Sequence, residues 1–213
     1  MSVGVSNVFL LNVAAGKAEQ AELLHAITDK QLADWEAEWV PELLSSIQRL
    51  HRAGVARAHW PQSRHWDWRR KATALQGMLA YPGFSVVCDG VTQGMMILDV
   101  ATKRCRIQGQ LGKNLVYVWF VENAPWNRKE LFDPPRYRGV GSILIRAAIE
   151  FSKDQEFQGR IGLHSLPQAN TFYANTCGMT DLGPDPGPDH QGLRYFEMTP
   201  EQAAAFIAKG GKT

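Results

Sequence analysis

The spacing of apolar and polar positions changes character three times along this chain. Near the start an apolar run, Val8 to Ala15, broken only by Asn12, reads as a first strand. From Lys17 to Gly54 the pattern predicts helix. Leu23, Leu24 and Ile27 share one face, and Leu43, Leu44, Ile47 and Leu50 recur at three- and four-residue intervals. Pro41 suits the first turn of a second helix, where its missing N–H is no loss. A further helical pattern runs through Leu75 and Leu79.

Beyond Pro82 the period shortens. Phe84 to Asp89, Thr92 to Val100, Cys105 to Gln110 and Asn114 to Val121 predict an antiparallel meander, with turns at Asp89-Gly90, Lys103-Arg104 and Gly112-Lys113. The segment Asn123 to Pro135 (NAPWNRKELFDPP) is too rich in Pro and Asn for a strand. After it, Val140, Ile143, Leu144, Ala147, Ala148 and Phe151 mark an amphipathic helix. A strand at Arg160 to His164, a helix from about Pro167 to Thr176, and strands at Met179 to Leu182 and Leu193 to Met198 complete the alternation. Gly183 to Gly192 (GPDPGPDHQG) reads as a surface loop. A last helix starts at Thr199, with Pro200 in its first turn and Gln202 completing a capping box. The expected class is α+β: a strand, helices, a meander, then β-α-β-α-β-β, in one domain over 1–213.

Hydrophobic residues make up 45% and charged residues 21%, which excludes a disordered or collagen-like chain. No run approaches the roughly 18 apolar residues of a membrane helix. The N-terminus lacks the basic stretch of a signal peptide. Cys88, Cys105 and Cys177 fit neither a zinc ribbon nor a disulfide framework, and the six histidines lack ligand spacing, so no metal is expected. A soluble cytoplasmic protein that does not engage membranes is the expectation.

The net charge of +2 conceals polarity within the first third. Between Glu19 and Glu42 seven acids face Lys30 alone, and between Arg49 and Lys71 seven bases face Asp67 alone. Within the basic stretch, Trp60, Trp66 and Trp68 alternate with Arg64, His65, Arg69 and Arg70. The tryptophans can pack a helix on the core with the Arg heads in water, or the stretch 60–71 can bind nucleic acid.

The most informative segment is Arg136-Tyr137-Arg138-Gly139-Val140-Gly141-Ser142, which opens the amphipathic helix. Glycines there let backbone N–H groups approach an anion, and the helix N-terminus adds partial positive charge. Arg136 and Arg138 supply charge-assisted hydrogen bonds. These features suit a phosphate or pyrophosphate. The segment is neither a Walker A loop nor G-x-G-x-x-G.

At these residues the chain resembles the GNAT superfamily of acyl-CoA-dependent N-acetyltransferases, whose hallmark is Gln/Arg-x-x-Gly-x-Gly/Ala at a helix start. Arg136, Gly139 and Gly141 match it. Ile161-Gly-Leu-His164, Ala169, Phe172-Tyr173 and Gly178-Met179 are similar to the family's next signature, and the resemblance runs from about Phe84 to Met198. Leu166 stands where members often have Asn, Gly178 follows Tyr173 by five residues where four is commoner, and the loop before Arg136 is about a dozen residues longer than usual.

The resemblance implies a mixed, mostly antiparallel sheet flanked by helices, whose splayed central strands form an acyl-CoA cleft. It implies acetyl-CoA as donor and no covalent enzyme intermediate. Backbone of Arg138, Gly139, Val140, Gly141 and Ser142 would hold the pyrophosphate with Arg136 beside it, and backbone near Phe120 and Val121 would pair with pantetheine. Residues 84–198 would bind the donor, and 17–80 would form the acceptor side. Glu122, ending an apolar strand, is the candidate general base, because a carboxylate at an apolar cleft has a raised pKa. His164 could replace or assist it. Tyr173 would protonate the leaving thiolate. The acceptor could be a small-molecule amine, a peptide or an aminoacylated RNA, and a homodimer is compatible with all of these. The alternatives are a catalytically silent acyl-CoA-binding domain and an RNA-associated protein using 60–71.

Overall fold

A computed structural model describes residues 4–190 and 192–210. Gln191, inside the expected surface loop, lies outside them. Among the described residues there are nine strands and five α-helices, an α+β content as expected. The chain forms two compact units.

The first unit comprises Met1–Met96 with Val121–Leu144. It opens with a hairpin of β1 (Val5–Asn12) and β2 (Lys17–Leu24), in register from Val5↔Leu24 to Asn12↔Lys17. Residues 17–24 are therefore strand, where the sequence predicted helix. Ala21 and Leu23 point inward while Gln20 and Glu22 point out, a period of two that the pairing of Leu23 and Leu24 with Ile27 had masked. The Asn12 side chain closes the turn by accepting from the Ala15 N–H at 3.0 Å.

Helix α1 (Asp29–Asp34) starts at a Thr28–Gln31 capping box. It continues through a π-helical turn, Trp35–Trp39, into α2 (Val40–Arg52). Pro41 cannot donate a hydrogen bond, and the ladder widens immediately before it, with the Val40 N–H reaching Trp35 O. Buried Trp39 ties this helix to the sheet by donating Nε1–H to Thr92 O at 2.9 Å. Helix α3 (Trp68–Leu75) stops short of Leu79, which is 96% exposed. Strands β3 (Gly83–Cys88) and β4 (Val91–Asp99) follow the prediction. A two-residue strand, β6 (Tyr137–Arg138), was not predicted, and the order in this unit is β6-β1-β2-β3-β4.

The second unit comprises Ile97–Phe120 with Ile145–Thr213. Its order is β5 (Val116–Asn123, counted here up to Phe120), β7 (Ile161–Ser165), β9 (Arg194–Met198), β8 (Thr180–Pro184). β5 and β7 are parallel and the other pairs antiparallel. The parallel pair needs a crossover, which α4 (Val140–Asp154) supplies. The expected strand at Cys105 to Gln110 is absent. Glu197, fully buried, accepts from the Arg106 N–H (2.6 Å), the Ile107 N–H (3.0 Å) and Gln110 Nε2 (2.8 Å), so a carboxylate takes the donors a neighbouring strand would need. Helix α5 (Pro200–Gly210) begins at the expected box, with Thr199 N–H donating to Gln202 Oε1 at 2.9 Å. No helix among the described residues is long and apolar enough to cross a membrane.

Candidate active site

In the first unit, the turn into α4 is pinned from two sides. The Val13 N–H donates to Arg136 O at 3.0 Å, and β6 pairs with the end of β1 through Leu11↔Arg138 and Asn12↔Tyr137. From the other side the Arg136 N–H donates to Trp126 O (2.8 Å) and the Tyr137 N–H to Asn127 Oδ1 (2.9 Å). Buried Gln93 in β4 anchors the long 123–135 segment. Its Oε1 accepts from Trp126 Nε1 (2.8 Å) and Asn127 Nδ2 (2.9 Å), and its carbonyl accepts from the Ala124 N–H.

Gly139 has φ of 103°, a conformation side chains resist, and there the chain swings from strand into helix. The first helical bond runs from the Ile143 N–H to Gly139 O. The N–H groups of Val140, Gly141 and Ser142 therefore precede the helical ladder and crown the N-terminus of α4. Arg136 and Arg138 are exposed beside them. Gly94 in β4 lets this helix sit close, since a Cβ there would lie 2.5 Å from Val140 Cγ1 and 3.0 Å from Leu144 Cδ1. Donors and charge of this kind fit a pyrophosphate.

Glu122 lies in the same unit, enclosed by donors from one distant segment and one nearby. Oε1 accepts from Ser63 Oγ (2.5 Å) and Arg128 Nη1 (3.1 Å), and Oε2 accepts from Trp68 Nε1 (2.7 Å). The Glu122 and Arg128 side chains are each 8% exposed. Burial pushes the Glu122 carboxyl above its ordinary range, while Arg128, Ser63, Trp68 and Lys71 pull it back. Burial also lowers Lys71. The tryptophans of 60–71 serve packing: Trp68 is fully buried, Trp60 donates to Val55 O, and Trp66 lies edge-on to Trp68. Arg69 pairs with Glu36 and Asp29, and Arg64 and Arg70 face solvent.

Phe120, His164 and Tyr173 belong to the second unit. Tyr173 sits on a π-helical turn, Phe172–Thr176, where the Cys177 N–H bonds Phe172 O at 3.0 Å. A π-turn absorbs one extra residue, which accounts for the five-residue step from Tyr173 to Gly178. Burial keeps the phenol neutral, its pKa raised.

His164 has both ring nitrogens engaged, Nδ1 with Tyr117 Oη at 2.7 Å and Nε2 with Asp185 Oδ2 at 2.9 Å. Burial lowers it to about 4, against the raising effect of Asp185. His190 stacks on it at 3.5 Å. No local spacing marks this grouping, because Asp185 and His190 arrive from the loop after β8. The donor atoms of His164, Asp185 and His190 lie within 4.8 Å of one another. The imidazoles, however, are face to face, and Asp185 Oδ2 is already held by Arg106 at 2.6 Å.

No protein-family model matches the chain. No curated protein matches it either. Solved structures do. An uncharacterized protein from Bacillus halodurans is 13% identical, with a TM-score of 0.52 over 98% of each chain. Mycobacterium smegmatis RimJ, solved in complex with CoA-disulfide, is 15% identical, with a TM-score of 0.51 over 99% of this chain and 98% of its own. The GNAT domain of S. lividans PAT is 15% identical, with a TM-score of 0.48 over 91% of this chain and 96% of its own. Over nearly its full length the chain shares its α+β fold with the Bacillus halodurans protein and with RimJ, which was solved bound to a CoA derivative.

Proposed function

We propose that the chain is an N-acyltransferase that moves an acetyl group from acetyl-CoA to a primary amine by direct attack in a ternary complex. The observation that carries this reading is the turn at 136–142, where three N–H groups at a helix N-terminus stand beside two exposed arginines. The N-terminus of α4 would hold the pyrophosphate, with Arg136 and Arg138 balancing its charge. Backbone at Phe120 and Val121 would pair with the pantetheine arm.

In this reaction the amine nitrogen attacks the thioester carbonyl, the C–S bond breaks, and CoA leaves as a thiolate. Glu122 is the proposed acceptor of the ammonium proton, since burial raises its basicity toward neutral pH. Tyr173, held neutral, would donate its phenolic proton to the thiolate. His164 is unsuited to be the base, with both nitrogens bonded and its pKa lowered to about 4. Three free buried cysteines suit a reducing, cytoplasmic setting.

The three donors around Glu122 favour a second reading of that residue, in which it positions the 60–75 and 123–135 segments that shape the acceptor site. Glu122→Gln separates the two. A fall in kcat with loss of the acidic limb of the pH profile assigns the base role, while a raised KM for the amine with an unchanged pH profile assigns positioning. The overall proposal is tested by calorimetric titration with acetyl-CoA and by thiol release with a panel of primary amines. Absence of acetyl-CoA binding by the wild type would overturn it.

A further inference from the structure

Among the described residues, strand β1 ends its sheet except where β6 covers Leu11 and Asn12. The bond from the Val13 N–H to Arg136 O, with the register Leu11↔Arg138, shows that odd-numbered residues of β1 turn their main-chain groups toward the β6 side. The even positions face β2, as the bond from the His25 N–H to Gly4 O confirms. The N–H and C=O groups of Val5, Asn7 and Phe9 therefore point to an edge that β6 does not reach. Their side chains share the outward face, with Val5 54% and Phe9 66% exposed. Edges of this kind are normally blunted by charge, proline or a bulge. β1 (VSNVFLLN) has no charged residue and no proline, and its register with β2 runs without a slip.

We propose that this edge pairs with the same edge of a second copy of the chain, antiparallel about a two-fold axis through Asn7. This register sets Asn7 opposite Asn7, and Val5 of each copy opposite Phe9 of the other. All three pairs are of the hydrogen-bonded kind, so every N–H and C=O that the edge exposes finds its complement. The side chains meet as aromatic against β-branched, a favourable cross-strand pair. Charge selects the occupant: a strand without ionisable groups offers a charged segment no counter-ion, but meets its own copy without repulsion. The pairing is also self-limiting, because Leu11 is already bonded to Arg138. A two-fold contact of this length closes as a dimer and cannot propagate.

The test is sedimentation equilibrium over a wide concentration range, with variants that read the register. Wild type is expected to approach twice the 23.8 kDa chain mass as concentration rises. Asn7→Pro removes an N–H that faces only the open edge, so the β1–β2 ladder survives with only the exposed Gln20–Asn7 side-chain bond lost, and this variant is expected to stay monomeric and folded, melting close to dilute wild type. Cα atoms across a hydrogen-bonded pair lie about 5.5 Å apart, within disulfide reach. Mild oxidation should therefore link Asn7→Cys to itself, whereas Phe9→Cys should link only when mixed with Val5→Cys. The native cysteines are buried and do not compete. A wild type that remains monomeric throughout overturns the proposal, as does a dimer in which Asn7→Cys fails to link. If Asn7→Pro does not fold, the cysteine pairs decide alone.

Discussion

Glu122 and Arg128 are six residues apart and form a buried ion pair of 3.1 Å, with Ser63 Oγ bonded to both. Removing one partner of such a pair leaves the other charge without compensation. Arg128→Met should cost about 3–5 kcal/mol, and adding Glu122→Gln should recover a large part of it. Because the folded-state pKa of Glu122 is raised, its contribution to stability is fully present below its ordinary range and is lost as pH rises through the raised value. Arg128→Met should steepen that loss. Urea denaturation of the single and double variants at several pH values checks both expectations.

Gly141→Asp should abolish acetyl-CoA binding while leaving the fold as stable as before, or slightly more so. A carboxylate in the first turn of α4 complements the helix dipole but repels a pyrophosphate at the same N-terminus. Paired calorimetry and thermal melts separate the two effects. Unchanged affinity would remove the 136–142 turn from the donor site.

Gly94→Val tests whether the depth of α4 matters. The added side chain would collide with Val140 and Leu144, and overpacking of this kind costs about 1–3 kcal/mol. The displaced helix start should also weaken acetyl-CoA binding, in contrast to an equally destabilising change in the second unit, such as Phe206→Ala.

His164 predicts an acid-side weakness. Its folded pKa is lowered to about 4, so the unfolded chain binds the extra proton first. Stability from this residue is complete above its ordinary range and falls as pH drops through about 4, with a slope of at most about 1.4 kcal/mol per pH unit. His164→Gln should flatten denaturation midpoints measured over this interval. A slope that persists in the variant assigns the weakness elsewhere.

The α4 turn was legible because glycines, arginines and a helical period sit in one short stretch. Glu122 could be singled out as a carboxylate ending an apolar strand. Its partners could not, since Ser63 and Trp68 lie 59 and 54 residues earlier and nothing local records that distance. Strand β2 was misread because three leucine and isoleucine positions fit a helix while only two inward positions, Ala21 and Leu23, fit a strand. The 105–110 segment has the alternation of a strand, but buried Glu197 captures its N–H groups. The π-turn at Phe172–Thr176 left its trace only as a spacing one residue too long.

Glu122 gathers contacts from two stretches that the chain could otherwise alter independently, one around Ser63 and Trp68 and the other around Arg128. Exchanging either stretch with that of a homologue would strand a buried carboxylate or a buried guanidinium. The two stretches can therefore be exchanged only as a module, with residues 60–75, Glu122 and 123–135 transplanted together.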